Sequence, residues 1–566
     1  MSLPGLLRDA MEYHRAGQLP QAETLYRKIL QAAPSHPDAL HLLGLIAHQA
    51  GKIANAVDLI SRAISINPSG PMYYNLGVAL QACGEMDAAV ESYRQALVLT
   101  PDYAEAHGNL GAVLQGQGMY DAAAEHLRRA TCLRPEDAGA HSNLGVVLQT
   151  QGHLDAALES FHRALAIKPN HAEAHNNLGM AQQAQGRLDA ALDSFHRALA
   201  INPNHAEAHN NIGVVCLAQS RFDAAAASFH RTLSINPEDA DAHNNLSQVL
   251  LLQGAFHSGW REYEWRVRHQ FGHSYITDPR DSSRMLPRPS TQLPFDLVGK
   301  RILLVREQGI GDEIFFLRFA QIARQRGAWL AYRPSEKIAT LVQRAPGLDA
   351  VLHDDDLPPN LDQIVLVGDL PLMLGADHVD DLPSAMPLTA LPEQQSTIKE
   401  RLAALGNRPV LGVTWRAGTE RHASKSKSSL FKETDIALLG RALSSWPGEV
   451  LILQRHPRAE DIERFQCALG KSAHDWSSLN DDLEGMLALL SQIDEYVGVS
   501  NTNMHLMAGL GKPARVLVTN PPEWRWMMEG CESPWFPGFK LYRQQRDGKW
   551  DAALAGLKED LQNRER

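Results

Sequence analysis

Seven prolines stand at Pro34, Pro68, Pro101, Pro135, Pro169, Pro203 and Pro237, a step of 34 residues with one step of 33. No other feature constrains the fold as much, because a fixed period of this length means one supersecondary unit stacked on copies of itself. Within each unit apolar residues recur at helical spacing, a glycine near the middle ends a first helix, and the proline follows a second. Gly111, Ala123, Ala130 and Pro135 mark one unit, and Gly179, Ala191, Phe195, Ala198 and Pro203 mark another. Small residues where the helices cross let their backbones approach, and stacked pairs build a curved solenoid with a concave face.

The unit resembles the tetratricopeptide repeat. Seven good units run from about Leu3 to Asp239, and a degenerate eighth runs from Ala240 to about Gln270. Two ladders climb the first helices at the repeat step. One is Asn75, Asn109, Asn143, Asn177, Asn211 and Asn245; the other is His107, His141, His175, His209 and His243. A row of amides carries donors and acceptors that can pair with an extended polypeptide. The repeats are similar to those of the eukaryotic O-GlcNAc transferase, whose inner surface carries an asparagine ladder, and this implies a protein or peptide acceptor in the groove. The other reading of the asparagines is that they stabilise neighbouring repeats or simply sit in solvent. The histidines are read as packing residues, since repeats about 10 Å apart cannot share one metal held at about 2 Å.

Composition narrows the function classes. The net charge is −11 with no long basic run, which argues against a nucleic-acid partner. Five scattered cysteines without a CxxC pair suit free thiols in a reducing cytosol. The N-terminus carries charges where a signal peptide needs an apolar core, and no run reaches the ~18 apolar residues of a membrane span. The expectation is a cytoplasmic protein. The eighth unit ends in GWREYEWRVR, where Trp260, Tyr263 and Val267 share a helical face and Trp265 is offset. No tryptophan precedes Trp260, so this stretch is read as docking the array on the next domain. Ile276 to Lys300, with four prolines and no periodicity, reads as a linker or strap.

From Arg301 the pattern changes to short apolar runs alternating with amphipathic helices, the signature of parallel sheet with helices on both faces. RILLV, WLAYR, AVLHD and QIVLV form one series of candidate strands, and PVLGVTW, EVLILQ, EYVGVS and ARVLV a second. The fold class expected is thus an all-α repeat superhelix followed by two Rossmann-like α/β lobes. The boundaries are 1–271 for the solenoid, 272–298 for the linker, 299–395 for the first lobe and 396–566 for the second. Neither series has GxGxxG after its first strand, so no dinucleotide cofactor is indicated. Tyr496 to Pro513 reads as strand, tight polar loop and helix; such a helix start offers unpaired N–H groups and the positive end of the peptide dipole to phosphate.

EQGIGDE (Glu307 to Glu313), GVTWRAGT (Gly412 to Thr419), GVSNTNMHLMAGLGKP (Gly498 to Pro513) and PEWRWMMEGCESPWFPGFKLYRQ (Pro522 to Gln544) follow in that order. Together they look like bacterial tetratricopeptide proteins whose C-terminal domain is related to heptosyltransferases, in the GT-B glycosyltransferase fold. The resemblance implies a metal-independent, inverting transfer from a nucleotide-diphosphate sugar, which is co-substrate rather than cofactor. It also implies Asp312 as base, because heptosyltransferases carry an aspartate at the matching Gly-Asp position, with Glu313 as the alternative. Gly309 and Gly311 permit the tight turn and close approach of substrate. Leaving-group support falls to Arg416, Thr419 and either Lys425 or Lys427, and Gln454 ends a strand on the same edge. Ser500, Asn501, Thr502 and Asn503 offer donors to the phosphates, with His505 just inside the helix. The chain departs from that family at Ser500-Asn501, where the relatives have an Asp-Thr pair, so no carboxylate stands there to grip sugar hydroxyls. Trp524, Arg525 and Trp526 either wall the site or pack in the core. Asp354, Asp355 and Asp356 satisfy a DxD pattern but read as a solvated loop, and no metal is expected. Two alternatives stay open: a non-catalytic repeat scaffold with a degenerate transferase lobe, and a transferase acting on a lipid-linked or cell-surface glycan.

Overall fold

The computed structural model describes residues 2–266, 277–278, 281–285, 292–294, 296–307, 309–353, 358–417 and 432–563, with 277–278 and 281–285 described by backbone alone. These divide into two compact units, Met1–Asn211 and Ile212–Arg566.

The first unit is a run of helix pairs in which 13-residue helices alternate with longer ones of 14. Gly70–Ala82 with Met86–Leu99, and Ala138–Thr150 with Leu154–Ile167, are two such pairs. Between the members of the second pair Gly152 turns the chain at φ 82°, a left-handed conformation that costs a glycine little. The pairs approach closely because a glycine of the first helix faces a large apolar side chain of the second, aliphatic at Gly44 and Gly111 and aromatic at Gly77, Gly145 and Gly179. A Cβ added to Gly145 would stand 2.6 Å from the Phe161 ring, and one at Gly179 the same distance from Phe195. Alanines supply most of the rest of the interface, with Ala157, Ala164, Ala191 and Ala198 fully buried.

The second unit begins inside the repeat pattern. Its helices Phe222–Ile235, Ala240–Leu252 and the shortened Phe256–Tyr263 keep the repeat register. They share one hydrophobic core with the α/β part: Leu251, Phe256, Trp260 and Tyr263 cluster with Phe315, Phe316, Trp524 and Trp535. Trp260 is 1% exposed and donates its indole N–H to the Ala376 carbonyl at 3.0 Å. Ser220, which takes the left-handed turn position of its repeat at φ 56°, donates to Asn520 Oδ1 at 2.8 Å. The compact unit therefore does not end at the boundary expected near residue 271, because the last repeat helices bury their aromatic face in the domain that follows. Of the expected linker 272–298, part lies outside the described residues; within it Thr277–Asp278 pairs antiparallel with Asp281–Met285.

The α/β part holds two parallel sheets. The first contains β1 (Arg301–Val305), β2 (Trp329–Arg333), β3 (Ala350–Val351) and β4 (Gln363–Leu366) in the order β3-β2-β1-β4. The second contains β5 (Val410–Thr414), β6 (Glu449–Ile452), β7 (His474–Asp475), β8 (Glu495–Val499), β9 (Arg515–Val518) and β10 (Lys540–Arg543) in the order β7-β6-β5-β8-β9-β10. In both, the chain leaves the first strand in one direction and later returns to its other side, so a topological switch point lies between β1 and β4 and between β5 and β8. Each first strand is buried along its apolar run, as strands covered on both faces require. An ion pair from Arg344 to Glu484 at 2.6 Å and the Leu388 amide on the Gly509 carbonyl at 2.8 Å join the two sheets.

Candidate functional site

After β1 the chain turns through Gly309, which caps the helix Ile310–Phe316. After β8 it turns through Ser500 and Asn501 into the helix Thr502–Gly509. The Asn501 amide shapes that second turn. Its oxygen accepts from the Asn503 amide at 2.9 Å, and its nitrogen donates to Thr414 Oγ1 at 2.8 Å and to the Tyr496 hydroxyl at 3.0 Å. The two helices pack against each other at their first turns. A Cβ on Gly311 would stand 3.1 Å from His505 Cδ2 and 3.2 Å from its Nε2, so any larger residue would push the imidazole back by a few tenths of an ångström.

These turns, with the end of β5, enclose a cleft of about 340 Å³ at the carboxyl edges of both sheets. Gly309, Gly311, Asp312, Arg416, Ser500, Asn501, Thr502, Asn503 and His505 all line it. Two expected residues do not. Glu313 is 2% exposed and turned into the first lobe, where its Oε2 accepts from the Tyr332 hydroxyl at 2.8 Å and the Ser335 amide at 3.0 Å. Gln454 is 1% exposed: its oxygen accepts from the amides of Trp415 and Arg416 at 3.0 and 2.8 Å, and its nitrogen donates to the Arg416 carbonyl at 3.0 Å. A side-chain amide that mimics one more rung of sheet cannot also turn to a ligand; Gln454 fixes the Arg416 backbone instead. Thr419, Lys425, Lys427 and Asp354 to Asp356 lie outside the described residues.

Several lining residues went unassigned in the sequence. Lys432, Arg455, Asn480 and Glu523 line the cleft alongside Arg525. Arg525 pairs with Asp312, and Lys432 pairs with Glu523. Glu523 lies inside the Pro522 to Gln544 motif, directly before Trp524. Trp524 and Trp526 are core residues: Trp524 meets Trp260 edge-on at 5.4 Å and Trp526 stacks on Phe536 at 4.8 Å.

Positive charge dominates the cleft. Arg416, Lys432, Arg455 and Arg525 face two carboxylates, Asp312 and Glu523. Burial pushes the Glu523 pKa up, but Lys432 and Arg525 outweigh it and hold the carboxyl below its usual range. Behind the cleft Arg318 is 2% exposed and bonds to the carbonyls of Phe315 and Trp535, at 3.0 and 2.7 Å; burial and the nearby Arg525 pull it down to about 9. His505 is 6% exposed, its Nδ1 is buried without a hydrogen-bond partner, and burial together with Arg525, Arg318 and Lys432 holds its pKa well below 6.5.

That depression has a sign. As pH falls through 6.5 the unfolded chain takes up the proton that folded His505 refuses, so stability is lost toward acid and the group contributes nothing above that range. One such group steepens the acid slope by at most about 1.4 kcal/mol per pH unit. Urea unfolding of wild type and His505→Asn at pH 5.5, 6.5 and 7.5 is expected to show a shallower acid loss in the variant. Parallel pH dependences would remove His505 from this role.

In the repeats, Asn75 Nδ2 sits 2.9 Å from His41 Nε2, Asn109 donates to the Tyr74 hydroxyl at 3.2 Å, and Asn211 donates to Asn176 Oδ1 at 3.0 Å. Each contact ties a repeat to the one before it. Asn177 is buried, whereas Asn143 and Asn245 are half-buried. Each histidine of the second ladder bonds to the proline carbonyl six residues before it. Nε2 of His107, His141, His175 and His209 donates to the carbonyl of Pro101, Pro135, Pro169 and Pro203, at 2.9, 3.1, 3.0 and 3.1 Å. In the second unit His243 does the same to Pro237 at 2.9 Å and stacks on Trp265 with centroids 4.0 Å apart. Among the described residues no group of His, Cys, Asp and Glu could hold a metal ion, and no helix is long and apolar enough to cross a membrane.

The chain carries tetratricopeptide repeats, followed by an α/β region built on two parallel sheets. Family models described as TPR repeat match residues 80–118, 117–152 and 150–186, and models described as tetratricopeptide repeat match 7–71, 172–205 and 217–257. Protein FlbA of Caulobacter vibrioides is 24% identical over 334 residues, covering 52% of this chain and 50% of that protein. Human tetratricopeptide repeat protein 7B is 33% identical over 84 residues, 15% of this chain and 10% of that protein. The chain thus spans half the length of the first of these relatives and a tenth of the second. Among solved structures, an APC/C hetero-tetramer Cut9–Hcn1 is similar at 24% identity and a TM-score of 0.36, covering 43% of this chain and 48% of that one. The pilF protein of Pseudomonas aeruginosa is similar at 23% identity and a TM-score of 0.34, covering 37% of this chain and 95% of that one.

Proposed function

We propose that the α/β region is a GT-B-type glycosyltransferase that moves a sugar from a nucleotide-diphosphate sugar to an acceptor, and that the repeats recruit a protein bearing that acceptor. One observation carries the reading: the switch-point edges of both sheets open on a single cleft lined by four cations and two helix starts. Ligands of α/β sheets bind at such edges, and a diphosphate is the anion that needs this much positive charge.

In the transfer, an Asp312 carboxylate oxygen takes the proton of the acceptor hydroxyl as that oxygen attacks the anomeric carbon. The bond from that carbon to the diphosphate breaks, and the electron pair stays on the leaving phosphate. Arg416, Lys432 and Arg525, with the Thr502 amide at the helix start, stabilise the charge as it develops. No metal is required when cations and helix N–H groups supply that stabilisation. Asn501 spends its side chain on the turn, which leaves donor-sugar selection to other groups of the cleft.

Calorimetric titration of the purified chain with UDP, GDP and ADP, and with the corresponding sugars, tests the reading. Binding of one nucleoside diphosphate at micromolar affinity is expected, with turnover of its sugar that Asp312→Asn lowers at least a hundredfold while binding persists. Absence of binding to all three would overturn the assignment. A second reading, a repeat scaffold that binds nucleotide without turnover, is favoured by the pairing of Asp312 with Arg525; binding without any sugar transfer or hydrolysis would select it.

A further inference from the structure

Arg266, in the last turn contributed by the repeats, is 2% exposed and sits in a cluster of buried charge. Its Nη2 pairs with Glu307 Oε1, on the loop after β1, and its Nη1 lies 2.7 Å from Asp369 Oδ1, on the loop after β4. Nη1 also donates to the Tyr263 carbonyl at 3.0 Å, and the guanidinium carbon lies 4.3 Å from the Tyr263 ring centroid. Glu307 Oε1 accepts in addition from the Gly368 amide at 2.8 Å. The packing there admits no side chain at residue 368, where a Cβ would stand 2.2 Å from Glu307 Oε1 and 2.6 Å from Arg266 Nη2. One arginine thus clamps together the two loops that flank the switch point of the first sheet.

The arrangement is an expensive way to fill a core. Burying three charges costs more in lost hydration than a well-packed apolar cluster of the same volume, and Arg266 Nε and Glu307 Oε2 have no hydrogen-bond partner to offset it. What the charges supply and apolar groups cannot is direction. The guanidinium hydrogen-bonds the Glu307 carboxylate with one arm and ion-pairs with Asp369 through the other, so the β1 and β4 loops are held at one spacing. Glu307 stands two residues before Gly309, and the Gly309–Asp312 turn forms one wall of the cleft.

We infer that Arg266 is a positioning residue for the cleft: the end of the repeat array sets the Gly309–Asp312 turn, and the α/β lobes have no complete ligand site without it. This inference rests on the cleft being a nucleotide site, and the test separates the two. It follows that the repeats do more than tether an acceptor, because their last helix is part of the scaffold on which the base is mounted.

The experiment uses the full chain as wild type, Arg266→Lys, Arg266→Met, and the triple variant Arg266→Met/Glu307→Gln/Asp369→Asn. The triple variant carries no unpaired buried charge and keeps the fold testable where Arg266→Met alone unfolds. Hydrogen exchange is followed for the segments 306–316 and 367–370, and affinity is measured for UDP, GDP and ADP. The triple variant is expected to unfold at a midpoint near wild type, yet to exchange at least tenfold faster in those two segments and to bind the nucleotide at least tenfold more weakly. Arg266→Lys, a point charge that cannot fork, is expected to fall between. A folded triple variant with wild-type exchange in 306–316 would overturn the inference, whatever the nucleotide result. If wild type binds none of the three nucleotides, the functional reading fails and the exchange result alone judges the positioning role.

Discussion

Replacing Trp260 by alanine is expected to destabilise the 212–566 unit by about 3–5 kcal/mol, the cost of removing a fully buried tryptophan whose cavity cannot collapse. The indole meets Tyr263, Phe316, Trp524 and Trp535 edge-on, at centroid distances between 5.4 and 6.3 Å, so its removal opens a void walled by rigid rings. It also strands the Ala376 carbonyl, adding about 1 kcal/mol. The molecule provides a clean readout. All ten tryptophans lie at or beyond residue 260, so intrinsic fluorescence reports the second unit, whereas far-ultraviolet dichroism is weighted toward the repeat helices. The fluorescence midpoint in urea should fall sharply, and Trp260→Phe, which keeps a ring in place, should lose less than half as much. A midpoint within 0.5 kcal/mol of wild type, the range of an ordinary surface substitution, would mean that the joint does not hold the unit together.

The repeat half was legible because its information is periodic. Proline after the second helix, glycine in the first helix and alanine at the crossing points recur so often that each unit confirms the next. Strands with unbroken apolar runs, such as RILLV and EYVGVS, were equally plain. To the second parallel sheet the structure adds two that were not. His474–Asp475 is a two-residue edge, and Lys540–Arg543 holds only two buried residues, Leu541 and Tyr542, between two charged ones, so neither shows the buried-strand signature. The site was legible wherever a residue type is tied to backbone geometry. Gly309 and Gly311 make a turn, and Ser500 to Asn503 open a helix. It was not legible where the role depends on a partner far away in the chain. Nothing local distinguishes Gln454, which completes a rung of sheet at Arg416, from a glutamine facing solvent. Nothing near Glu307 announces that Arg266 will reach it, or near Lys432 that Glu523 will.

Arg525 joins both halves of the cleft, and its replacement by methionine is expected to have the largest effect on ligand chemistry. The guanidinium is 7% exposed, lies 4.6 Å from the Phe315 ring centroid and 4.4 Å from that of Trp524, and pairs with Asp312. Methionine keeps much of the apolar contact with those rings while removing the charge. If Arg525 meets the leaving diphosphate, its loss should lower kcat/KM about 10²–10³-fold, as removal of one preorganised donor to a developing anion does. A second consequence needs no substrate. Arg525 is among the charges that hold His505 low, so in Arg525→Met the imidazole should titrate closer to its ordinary value, a shift visible by NMR. The two readouts distinguish roles. A rise at His505 with unchanged nucleotide affinity and turnover would make Arg525 a neighbour that only pairs with Asp312. Loss of turnover in both Arg525→Met and Arg525→Lys, with the His505 shift confined to the first, would show that the fork geometry, and not charge alone, meets the ligand.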